Sequence, residues 1–126
     1  MTATIDPDGL EREVRALAAE QPEFVYQRPN HRDGCVYVDN GCPSCLIGQA
    51  AARIGIPIAV LEDWDSADTT GIDAILTGDF GVDGARAEWF AKVQAKQDDE
   101  YTWRQAIEYA DQGISVLLPV TVLNNP

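Results

Sequence analysis

The sequence predicts an α+β fold: a mostly helical single domain spanning residues 1–126, with four to six helices packed on one β-hairpin. Three observations carry that prediction. Apolar residues recur at three- and four-residue spacing, as in Leu10, Val14, Leu17 and Ala18, or Trp89, Phe90 and Val93, which is the stripe an amphipathic helix buries. Two β-prone runs, Phe24–Gln27 and Cys35–Val38, flank a turn-rich loop, RPNHRDG, the pattern of a hairpin. The chain has 126 residues, 45% of them hydrophobic, with three Trp. That is enough for one core and, by the usual size of domains, for one only.

The elements follow in order. Ile5-Asp6-Pro7 opens the first helix: Asp6 is placed to cap it, Pro7 takes the first helical position, and Ile5 can staple to Leu10 across the cap. Glu11, Arg12, Glu13 and Arg15 fall outside its apolar stripe, and Pro22 closes it. The hairpin comes next, and because two strands alone are marginal in water, helices must cover one of its faces. Asp39-Asn40-Gly41 reverses the chain. Cys42 then reads as the N-cap, and Pro43 as the first position, of a helix stopped by Gly55 and Pro57. Gly48, Ala52 and Gly55 leave that helix thin on one side, so another element can approach it closely.

Pro57–Asp63 reads as a short helical turn. Ser66 is expected to cap a further helix that turns Ile72, Ile75 and Leu76 inward and ends near Gly78, with 81–84 as loop. Ala85–Gln97 is a helix flanked by Lys92 and Lys96 and broken by Asp98-Asp99-Glu100. Thr102, with Gln105 three residues on, is a capping box for the last helix. Trp103, Ala106, Ile107 and Ala110 form its apolar face, and Gly113 is expected to end it. The Ile114–Val122 tail is β-prone, with Pro119 confining it to an edge or an extended segment. The expected core is Leu17, Val36, Val38, Leu46, Ile47, Ile72, Leu76, Trp89, Val93, Trp103 and Ile107.

Charge narrows the function. Twenty-one acids face nine bases, a net of −12, and between Leu61 and Gly84 there is no Lys or Arg beside Glu62, Asp63, Asp65, Asp68, Asp73, Asp79 and Asp83. Such a surface repels phosphate backbones, which argues against direct nucleic-acid binding. It is either a solvated face that keeps the protein in solution or a surface presented to a basic protein partner. On the second reading Glu62, Asp63, Asp65 and Asp68 are the candidate contact residues. No basic start followed by an apolar run marks a signal peptide, and the charge-free stretch at 113–126 is shorter than a membrane span requires. An odd count of three cysteines makes reduced thiols in a cytoplasm the expectation. The charge-free Ile114–Val122 tail offers itself for self-association of two copies.

Residue chemistry concentrates in 35–55, CVYVDNGCPSCLIGQAAARIG, which holds all three cysteines, with the only histidine, His31, just before it. A strand, then Cys42-Pro43-Ser44-Cys45 at a helix start, then Gly-Ile-Pro, resembles the opening of glutaredoxin-type proteins over residues 35–62. The resemblance implies a dithiol oxidoreductase in which Cys42, made a thiolate by the helix dipole and free N–H groups, attacks and Cys45 resolves. That family also calls for a cis-proline after the second strand. Residues 64–78 hold no proline, and Leu118-Pro119-Val120 is the nearest analogue. The same side chains can instead be ligands: His31, Cys35, Cys42 and Cys45 place one imidazole and three thiols within 15 residues, a set that tetrahedral zinc accepts. That reading gives a small zinc-binding interaction module. The plain alternative is packed or surface thiols with no metal and no cofactor.

A second resemblance covers most of the chain. Pro43-Ser44-Cys45-Leu46-Ile47-Gly48-Gln49-Ala50 after Val36-Tyr37-Val38, with Phe90, Val93-Gln94, Gln97-Asp98, Thr102-Trp103 and Ala106 downstream, is similar to a group of small proteins of actinobacteria and their phages. Its pattern contains Cys45 but does not call for Cys42. The resemblance implies a phage-type accessory protein of the host cytoplasm, a context without a mechanism. Joined to the charge balance, it gives a small acidic, non-enzymatic interaction protein as the leading reading.

Overall fold

The computed structural model describes residues 5–27, 37–39, 41–66 and 71–117. Among them are six helices and one two-stranded antiparallel hairpin: α1 (Pro7–Glu20), β1 (Val38–Asp39), β2 (Cys42–Pro43), α2 (Leu46–Arg53), α3 (Ile58–Ser66), α4 (Ile72–Phe80), α5 (Gly84–Asp98) and α6 (Trp103–Leu117). The fold is therefore the α+β, mostly helical class that the patterning predicts. α5 packs against α6, α4 and α2; α1 lies on α2 and α6; the hairpin sits against α3 and α2.

Local chemistry accounts for most helix ends. Asp6 caps α1, its carboxylate accepting the Asp8 N–H at 3.2 Å, and Ile5 and Leu10 are both buried across that cap. The capping box of α6 forms as read: the Thr102 N–H donates to Gln105 Oε1 at 2.9 Å and the Gln105 N–H to Thr102 Oγ1 at 3.0 Å. Asp83 caps α5 through Ala85 and Arg86. One core unites the elements, with Leu10, Val14, Leu46, Ile47, Leu61, Ile72, Leu76, Phe90, Val93 and Trp103 fully buried. Of the expected core, Ile107 is only half-buried, and Val36 lies outside the described residues.

The hairpin lies later in the chain than the sequence suggests. Val38 pairs with Pro43 and Asp39 with Cys42, around a turn in which Gly41 takes φ +76°. Asn-Gly is the strongest short hairpin signal, because a two-residue loop of the right twist needs positive φ. Val25, in the first predicted strand, instead makes an isolated antiparallel bridge to Thr102, and the Trp103 N–H donates to Phe24 O at 2.9 Å. The second predicted strand, apart from its last two residues, lies outside the described residues, as does His31.

Several helix boundaries also move. Cys42 is not the cap of α2: pairing holds 42–43 extended, the Ser44 N–H donates to Tyr37 O at 2.9 Å, and Cys45 becomes the N-cap. Ser66 is the last residue of α3 rather than a cap, and α4 begins after Gly71 and runs through Gly78 to Phe80, where Gly81 at φ +68° stops it. α6 passes through Gly113 to Leu117, so 114–117 are helical and not the start of an extended tail. A glycine inside a helix costs about 1 kcal/mol, and each added residue returns a backbone hydrogen bond. Residues 118–126 lie outside the described residues.

Candidate functional site

The Cys-x-x-Cys is split between two environments. Cys45 is fully buried, accepts the Gly48 N–H on its Sγ at 3.5 Å, and is disulfide-bonded. Cys42 is an exposed free thiol on β2. The two are therefore not bonded to each other, and Cys42 stands ahead of the helix start rather than on it. Two first-turn donors of α2 are engaged: the Leu46 N–H reaches Gln97 Oε1 at 2.8 Å and the Gly48 N–H reaches Cys45 Sγ. The expectation of three reduced thiols is thus corrected at Cys45, whose sulfur in a disulfide is no thiolate ligand. Among the described residues no three His, Cys, Asp or Glu side chains converge on a common point; His31 and Cys35 lie outside those residues. Cys42 lines an open cleft of about 380 Å³ with Phe24, Tyr26, Pro43 and Ser44, where the Tyr26 and Ser44 hydroxyl oxygens are 2.8 Å apart.

The hairpin is held by residues that the sequence did not single out for that work. Asp65, on α3, accepts the Tyr37 N–H on Oδ1 at 2.8 Å and the Val38 N–H on Oδ2 at 3.0 Å. It is a clamp on the backbone entering β1, so one of the four candidate contact acids is committed within the fold. Tyr37 is buried, its ring edge-on to Trp64 with centroids 5.4 Å apart, and its hydroxyl accepts from Gln94 Nε2 at 2.9 Å. Burial pushes that phenol well above the ordinary tyrosine range. Trp64 in turn meets Phe80 edge-on at 6.0 Å. A tryptophan amid acids at 62–68 was the one signal that this segment has a buried side. Gln97, buried among apolar side chains, left no signal, since a helical glutamine reads as surface.

The charged groups sort into used and unused. Arg15 bonds both carboxylate oxygens of Asp111, at 2.8 and 3.1 Å, and lies over the Trp89 ring, while the Trp89 indole N–H also donates to Asp111 at 2.9 Å. The Arg15 guanidinium, with Trp89 assisting, holds the Asp111 carboxyl below the ordinary range. Arg53 pairs with Glu20 and Glu13, Arg86 with Asp8 and Glu11, and Arg104 with Glu23 and Glu108. Arg12 and Lys92 sit beside Glu13 and Glu88. By contrast Asp63 on α3 and Asp73 and Asp79 on α4 are exposed and enter none of these pairs. Glu62 is also exposed, and Asp68 lies outside the described residues.

Comparison of the chain with protein-family models, with curated proteins and with solved structures found no match. Among the described residues no helix is long and apolar enough to cross a membrane.

Proposed function

We propose that the protein is a non-enzymatic interaction protein whose acidic α3–α4 segment receives a basic protein partner, in the manner of a phage-type accessory protein. The observation that carries this reading is how the charge is distributed. Every described arginine is folded into an ion pair, whereas Asp63, Asp73 and Asp79 stand exposed and outside those pairs. The excess of acid therefore faces outward, where it raises encounter rates with a positive partner. The cysteines support the same reading, since the buried one is tied up and the exposed one lacks a helix start to activate it.

The test replaces Asp63, Asp73 and Asp79 with Asn and leaves Asp65 alone, because its carboxylate holds the hairpin. The unchanged protein should retain basic proteins from a cell extract at low ionic strength and release them as salt rises; the variant should associate several-fold more slowly. Retention that neither salt nor the substitutions alter would reduce these acids to a solvated face.

A further inference from the structure

Lys96, in the last turn of α5, is the one described cation that takes no carboxylate. Arg12, Arg15, Arg53, Arg86, Lys92 and Arg104 all sit in ion pairs. Lys96 Nζ instead lies 4.6 Å from the ring centroid of Tyr101 and 4.6 Å from that of Tyr109. In a chain with 21 acids, three of them at 98–100 just beyond this lysine, that choice is informative. Both rings are exposed, at 42% and 41%, so the pair is open to an incoming group. The geometry is set by the backbone: Glu100 takes φ +66°, and the Tyr101 N–H returns to Lys96 O at 3.1 Å, which folds Tyr101 back beside the lysine. α6, packed on α5, supplies Tyr109 from the other side.

We propose that Tyr101 and Tyr109 form a two-ring cation clamp, filled by Lys96 in the free protein, that accepts a lysine side chain of the basic partner. This rests on the reading of a basic partner given above. The ring faces carry the negative side of the aromatic quadrupole and attract any ammonium within about 6 Å. Lys96 shows that two rings at this spacing hold one. Its tether makes it a resident competitor. When the clamp opens, the four-carbon stem can carry the Lys96 ammonium to the carboxylates around 98–100. The acidic surroundings favour a cation as the incoming group over a neutral or anionic one.

The experiment uses Lys96→Met, which keeps the stem and removes the resident charge, and Lys96→Met/Tyr101→Leu/Tyr109→Leu, which removes the rings but keeps apolar bulk. Tetramethylammonium is titrated while the tyrosine ring protons are followed by NMR. Saturable shifts of Tyr101 and Tyr109 are expected in K96M, with wild type needing several-fold more ligand. No shift in K96M overturns the clamp whatever the partner proves to be. A decalysine peptide at low ionic strength supplies the second arm. It should bind K96M more tightly than wild type, and loss of both rings should weaken K96M about 5- to 30-fold, the weight of two exposed cation–ring contacts. Equal decalysine binding by all forms overturns the clamp while leaving the basic-partner reading in place. Decalysine binding to none of them, with tetramethylammonium still bound, sinks the basic-partner reading and with it the lysine occupant.

Discussion

The carboxylate of Asp65 accepts two consecutive backbone N–H groups, so both of its oxygens are used within 3.0 Å by the chain entering β1. Asparagine at this position keeps one acceptor but turns an amide N–H₂ toward a backbone N–H, leaving a half-buried donor without a partner. Asp65→Asn should cost about 1–3 kcal/mol, read by urea denaturation, whereas Asp63→Asn on the exposed side of the same helix should stay within about 0.5 kcal/mol. Equal effects at the two positions would remove the clamp from the account. Asp111 gives a pH dependence. Its folded pKa is lowered, chiefly by the hydrogen bonds from Arg15. Its contribution is therefore complete above the unfolded value of about 4 and is lost as pH falls through the lower folded value. The stability gap between wild type and Asp111→Asn should shrink toward zero below about pH 4. With 43% of the Asp111 side chain exposed, the gap is small even at neutral pH. A gap that stays constant down to pH 2 would mean that the ionised form is not what Arg15 stabilises.

At the scale of elements, α2 and the backbone above it are fitted by the absence of a side chain. A Cβ on Gly48 would lie 2.4 Å from Tyr37 O, 3.0 Å from Tyr37 Cα and 3.1 Å from Tyr37 C. All three are backbone atoms, and Asp65 fixes the same stretch, so it cannot yield cheaply. Gly48→Ala should destabilise by at least about 1–3 kcal/mol. Gly78→Ala, exposed in α4 with nothing within 4 Å of its Cβ, should stabilise by up to about 1 kcal/mol. Thermal melts of the two variants should move in opposite directions; a neutral Gly48→Ala would mean that β1 and α2 are not held as described. The caps at Asp6 and Thr102 were readable in the sequence, because they depend on residues within a few positions of each other; so was the thin side of α2 at Gly48, but not that Tyr37 comes to lie against it. The hairpin register and the start of α2 were not. They depend on which of two turn signals wins and on partners far along the chain: Asp65 for the Tyr37 and Val38 N–H groups, Gln97 for the Leu46 N–H. Hydrogen bonds across 27 to 51 positions leave no periodicity to read. The site suffered likewise, since Asp65 looks like its acidic neighbours until the backbone it holds is in place.

At the scale of the whole molecule two electrostatic effects oppose each other, and their ranges decide the outcome. The ion pairs are contacts of 2.6 to 3.8 Å, well inside a Debye length of about 8 Å at 0.15 M salt, so salt weakens them only in part. Most are exposed and worth about 0–1 kcal/mol each in any case. The repulsion among the surplus acids, 21 − 9 = 12 charges, acts across a domain with a radius of gyration of about 14 Å. At 0.01 M salt the Debye length is about 30 Å and these charges all feel one another; at 0.15 M most of them do not. Moderate salt should therefore raise the melting temperature, by a few degrees between those two concentrations, while the same addition slows association with a basic partner. Asp63→Asn/Asp73→Asn/Asp79→Asn should flatten both dependences together, since the same exposed charges drive them. A melting temperature that falls with salt would show that the ion pairs outweigh the repulsion, and that the outward negative field is too weak to steer a partner.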